Sequence, residues 1–171
     1  MGVKDVIDPP NARSYLRTRD MDSTTLNHAL KVGALAGATT TAAVAALSKH
    51  ETGSAAAGLN AVSHIAWGDE AARQRRASTK YTLMGVALNA AAVTGWAMVH
   101  EALFSGRRQR GLARPLAAGA ATAALAYVVD YHVVPERFTP GFEKRLSRPA
   151  LAAVYGVLAA SLAASAALRR R

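Results

Sequence analysis

The feature that most limits what this chain can become is the segregation of its apolar residues. They gather in four blocks, Leu26–Ser48, Tyr81–Phe104, Pro115–Val134 and Pro149–Leu168, with most of the charges held between them. A helix crosses the roughly 30 Å hydrocarbon core of a bilayer with about 20 mostly apolar residues, and each block is long enough. A water-soluble fold would instead intersperse polar residues at helical or strand period. The expected fold class is therefore all-α. It is an integral membrane four-helix bundle over residues 26–171, preceded by a polar N-terminal segment over residues 1–25.

Local signals agree with these boundaries. Ser23, Thr24 and Thr25 offer N-caps before the first block. Pro115 suits the first turn of the third block, and Pro135 ends it. Ser147 is placed to cap the fourth, and Arg169–Arg171 complement the dipole at its C-terminus. Between the first two blocks lies "SAAAGLNAVSHIAWGDEAARQ", Ser54 to Gln74. Its apolar part, Ala55–Trp67, is too short to span, so an extra short helix over about 55–72 is expected, interfacial or re-entrant. Asn60, His64 and Trp67 fall at helical spacing and should share one face. Gly33 with Gly37, and Ser161 with Ser165, form small-residue pairs four apart, which let helix backbones approach closely in lipid.

Composition narrows the partners. The net charge is +10, which in a soluble chain would point to nucleic acid. Here the basic residues flank apolar blocks, as in "SGRRQRG" and "LRRR", and anionic headgroups are the partner that this placement suits. The lipid bilayer is thus expected as a partner, and nucleic acid is not. Basic residues on the two sides of four spans nearly balance, so they decide little about orientation. The absence of cysteine excludes disulfides, thiolate metal sites and cysteine nucleophiles. The N-terminus has no apolar core of a signal peptide, and "MGVKDV" lacks the hydroxyl residue that N-myristoylation uses. No phosphate loop, nucleotide fingerprint or nucleophile elbow is present.

Two polar groups stand out. Chain order through four spans brings "SHIAWGDEA" and "VVDYHVVPER" to the same rim. That juxtaposes His64, Asp69, Glu70, Asp130 and His132, with Glu136 nearby. Imidazole with carboxylate suits a divalent metal such as Zn, Fe or Mn, with His64, Asp130 and His132 as candidate ligands. It suits proton handling equally. The plainer reading is structural: the acids pair with Arg73, Arg137 or Arg145 and staple the two loops together. There is no HExxH and no repeated ExxH, so no cofactor is assigned. The second group runs along the second block: Asn89, Trp96 and His100 on one stripe, with Glu101 beside it. His100 and Glu101 should lie roughly 15–20 Å from Asp130 and His132 by helical rise. This stripe reads as a buried face bonded to neighbouring helices, or more sharply as a quinone or headgroup pocket. Most tyrosines and tryptophans fall near the expected interfaces, as aromatic belts do.

"NAVSHIAWGDEA" and "DYHVVPERFTPGFEKRLS" resemble stretches of a family of small four-span bacterial inner-membrane proteins from high-GC genomes. The resemblance covers most of the chain from about Leu26 onward. It implies a bacterial inner-membrane setting and no mechanism. The expected function is that of a non-enzymatic integral membrane protein acting through helix packing, as a homo-oligomer or as an accessory subunit of a membrane complex. The alternative is a membrane-embedded metal-dependent enzyme, or a proton or ion transporter, using the His/carboxylate cluster.

Overall fold

A computed structural model describes residues 23–104 and 111–168. Most of the polar N-terminal segment, the basic Arg107–Arg110 stretch and Arg169–Arg171 lie outside them. The described residues form an all-α bundle. Helix α1 runs from Ser23 to Thr52. Three short helices follow: α2 (Ala55–Val62), α3 (His64–Trp67) and α4 (Asp69–Arg73). A π-helical turn, Thr79–Leu83, leads into α5 (Met84–Phe104). Helix α6 (Ala113–Val128) ends in a second π-helical turn, Val129–Val133, and α7 spans Arg148–Leu168. Two single 3₁₀ turns, Glu136–Phe138 and Phe142–Lys144, connect α6 to α7.

Four of these helices are long and apolar enough to cross a membrane: Ser23–Thr52, Thr79–Phe104, Ala113–Val133 and Arg148–Ala166, of 30, 26, 21 and 19 residues. Even the shortest reaches about 28 Å at 1.5 Å per residue. Helices cover all four expected blocks and run past their bounds. Helix α1 starts at Ser23, so Thr24 and Thr25 lie inside the helix rather than capping it, and it continues past Ser48 to Thr52. The next three start at Thr79, Ala113 and Arg148. Ser48 does not end α1 because its side chain faces inward, donating to Ser54 O at 2.8 Å and accepting from Gly58 N–H at 2.9 Å.

Small residues set the helix contacts. A Cβ added at Gly33 would lie 2.9 Å from Thr94 Cα, so α1 and α5 touch nearly backbone to backbone. Ser161 meets Thr39 at 2.8 Å and ties α7 to α1. Val32, Val93, Ala123 and Leu158 bring the four long helices into one core. A second core gathers Val44, Leu59, Phe142 and Leu151 where α2 and the 3₁₀ turns close one end.

The segment over 55–72 departs from expectation: it is three helices, not one. The chain breaks at Ser63 and again at Gly68, whose φ of 71° is a left-handed value. The break also rotates Trp67 away. Asn60 and His64 are 0 % and 2 % exposed, whereas Trp67 is 44 % exposed, so the three do not share a face. Residues Ala56–Val62 are all buried, with α2 packed against α1 and α5.

Candidate functional site

The turn that closes the bundle is built around Gly141. Its φ is +80°, and an added Cβ would lie 2.6 Å from Ala61 O and 2.8 Å from His64 Nδ1. Only glycine lets the Thr139–Pro140–Gly141 corner settle onto α2. The corner brings Lys144 Nζ to 2.6 Å from Asp69 Oδ1 and Arg145 Nε to 2.6 Å from Ala72 O. The loop after α1 and the loop after α6 are thus stapled at one rim, as chain order implied. The basic partners are Lys144 and Arg145 rather than Arg73 or Arg137. Hydrogen bonding from Lys144, reinforced by its charge, holds the Asp69 carboxyl below its ordinary 3.8.

The proposed rim cluster does not assemble as one site. His64 Nδ1 lies 2.8 Å from Ala61 O. A carbonyl only accepts, so Nδ1 carries a hydrogen and donates it. The ring's Nε2 is buried with no hydrogen-bond partner among the described residues. His64 lines a polar pocket of about 220 Å³ with Asp69, Glu136, Arg137 and Lys144. Glu70 points elsewhere and accepts from the Tyr81 hydroxyl at 3.0 Å. His132 is exposed, its ring edge-on to Tyr127 at 5.8 Å. Asp130 turns inward, accepting from the Tyr155 hydroxyl at 2.6 Å and sharing a pocket lining with Trp96.

The separation of Asp130 from His132 follows from local geometry. Residues two apart on a helix already diverge, and the wide turn over Val129–Val133 closes with Val134 N–H donating to Val129 O at 3.0 Å. Such π-turns re-aim single side chains and recur at functional sites. His64, Asp130 and His132 therefore do not converge as ligands. Among the described residues, no three His, Asp or Glu side chains stand together in a way that could hold a metal ion.

The residues of the second stripe make separate contacts. Asn89 is buried and donates to Thr40 Oγ1 at 3.3 Å and Thr41 Oγ1 at 3.0 Å, bonding α5 to α1. His100 Nδ1 lies 2.9 Å from Thr122 Oγ1, and Nε2 lies 3.4 Å from Ser165 Oγ, which joins α5 to α6 and α7. Glu101, 1 % exposed, stands 3.6 Å from His28 Nε2 on α1. Trp96 leaves this set. Helical side chains lean toward the N-terminus of their helix, and the long indole reaches up to Asp130. Two residues placed in separate groups by sequence thus share a site.

Sequence reasoning missed His28, Thr122 and Tyr155 as members of these networks. His28 had a readable signal, because it is an ionisable residue within the first helix, at the end that chain order places beside Glu101.

No family model matches the chain, nor does any curated protein or solved structure.

Proposed function

We propose that this is a multi-pass protein of a bacterial inner membrane that works by helix association and not by catalysis, its own helices packing with those of a second copy. One observation carries the reading. The outer face between α6 and α7 holds a groove of about 530 Å³, floored by Ala120, Ala124, Ala152 and Ala159 and flanked by Tyr127. Small residues are what membrane helices use to approach each other, since lipid gives no hydrophobic drive for their association. Helix α6 packs chiefly on α7, which leaves Leu116, Leu125 and Val128 outward, 43–56 % exposed. Buried Asn89 and His100 are meanwhile engaged within the chain, as links between its own helices. The rival reading, catalysis or transport through a single His/carboxylate cluster, would have to work with His64, Asp69 and Glu136 alone, since Glu70, Asp130 and His132 stand apart from their pocket.

The test is the mass of the protein in lipid nanodiscs. The wild-type chain is expected as a multiple of its monomer mass. Ala124→Phe, which fills the groove, is expected to give monomers with unchanged helical circular dichroism. A wild-type monomer at every protein-to-lipid ratio would remove the reading. So would an unchanged oligomer in both Ala124→Phe and Ala152→Phe.

A further inference from the structure

Asp130 differs from the other acids of the bundle. Glu51, Asp69, Glu70, Glu136 and Glu143 are exposed to solvent, and the buried Glu101 stands against His28, whereas Asp130 is half-buried at the end of a spanning helix. Asp130 accepts from the Tyr155 hydroxyl, a neutral donor, at 2.6 Å and lines one pocket with Trp96. Neither ion pair among the described residues includes it. A carboxylate has about four lone-pair sites, so one hydroxyl donor leaves acceptor capacity open and supplies no compensating charge. A half-buried carboxylate in an apolar helical bundle calls for a counter-charge.

Its surroundings specify the kind of charge. Asp130 lines a partly open pocket of about 90 Å³ with Asn89 and the rings of Trp96, Phe138, Phe142 and Tyr155, among aliphatic side chains such as Ile65 and Leu88. Aromatic faces attract a cation held within about 6 Å of the ring centre, most strongly when it is poorly hydrated, and quaternary ammonium groups are bound in this way. Electron-rich rings beside a carboxylate repel anions. A hard divalent ion wants about six oxygen ligands and is poorly served by one carboxylate among rings. The free volume is well below the roughly 300 Å³ at which drug-sized sites begin, so a small head group is the size class.

From this arrangement we infer that Asp130, Trp96, Tyr155, Phe138 and Phe142 form a binding site for a small alkylated ammonium group, either of a free cation or of a choline-type lipid. The rings take the methyl groups and part of the charge, and Asp130 supplies the counter-ion. Phe138, 58 % exposed, stands at the rim. The inference is independent of whether the bundle self-associates.

The chain has two tryptophans, so Trp67→Phe leaves Trp96 as the sole indole reporter. This parent, in phosphatidylglycerol nanodiscs, is titrated with tetramethylammonium chloride against matched sodium chloride. A saturable change in Trp96 emission is expected. The neutral choline isostere 3,3-dimethylbutan-1-ol and the Asp130→Asn variant are each expected to bind about tenfold more weakly. Phe138→Ala alters a residue 58 % exposed at the rim and should weaken binding about threefold. No saturable change, or equal binding by the neutral isostere, overturns the site. Should Asp130→Asn not fold, unchanged binding in Phe138→Ala overturns it instead. Phosphatidylcholine nanodiscs separate the two sources: weaker tetramethylammonium binding there identifies a lipid head group as occupant, and equal binding identifies a free cation.

Discussion

Gly85 and Gly95 lie on the same helix and make opposite demands. A Cβ at Gly85 would fall onto the carbonyl oxygen of Leu59, where α5 crosses α2, and nothing lies within 4 Å of one at Gly95. Backbone cannot yield as a flexible side chain can, so Gly85→Ala is expected to cost about 1–3 kcal/mol by overpacking. Gly95→Ala should be neutral or stabilising by up to about 1 kcal/mol, through helix propensity. Thermal unfolding of the two variants in one detergent checks the contrast, and equal melting would mean that α2 does not seat against α5. Asp69 makes a different residue-scale claim. Its carboxyl pKa is lower in the folded chain than its ordinary 3.8, so the Lys144 link stabilises above that value and is lost as pH falls through the lowered one. The gap in melting temperature between wild type and Asp69→Asn should be small, since Asp69 is largely exposed, present at neutral pH, and closed in acid and in high salt. A gap that persists in acid would mean that something other than charge joins the loops.

At the scale of elements, Asn60 on α2 does the most to hold irregular chain in place. Its amide donates to Gln74 O at 3.1 Å and Arg76 O at 3.0 Å, and its oxygen accepts from the Thr82 hydroxyl at 2.6 Å. Arg75 reaches back to Thr52 O, and Ser54 donates to Arg75 O. Asn60→Ala strips the partners from two carbonyls and a hydroxyl, for an expected cost of about 1–3 kcal/mol. Amide exchange measured by mass spectrometry should quicken over 74–82 and stay unchanged in the middle of α7. Uniform quickening would instead make Asn60 a determinant of the whole bundle. This element also marks where sequence reasoning stops. The four long helices were legible because apolar block length, Pro115, Pro135 and Ser147 each report a local physical limit. Ser147 does cap α7, accepting weakly from Ala150 N–H at 3.4 Å, but its anchor on Glu51 comes from a distant part of the chain. The break at Ser63 was not legible, since an apolar run with helical spacing carries no mark of where tertiary contacts interrupt it. Gly68, by contrast, a glycine directly after that run, is a stop signal that could have been read. The inward turn of Asp130 depends on a π-turn that has no sequence signature, and without it Trp96 and Asp130 could not be joined.

For the molecule as a whole, the decisive property is which ends of the helices face the same way. Four antiparallel crossings put the 74–78 loop and the 136–144 turns at one rim, and the start of α6 at the other. The packing supports this through independent links: Asp69 with Lys144 at the first rim, and His28 with Glu101 toward the second. A bilayer would turn this geometry into sidedness, because a span of 19 residues or more leaves its two ends in separate aqueous phases. The chain contains no cysteine, so single cysteines can be placed without a background. Ala77→Cys and Glu136→Cys, both at exposed positions, are expected to react alike with a membrane-impermeant maleimide in sealed vesicles. Leu112→Cys, at a position 78 % exposed, should react only from the opposite side, and detergent should make all three reactive. Labelling of Ala77→Cys and Leu112→Cys from the same side would mean that α5 does not cross. The rim that gathers Asp69, Lys144 and the mouth of the Asp130 pocket would then lose the sidedness that makes it a surface open to one compartment.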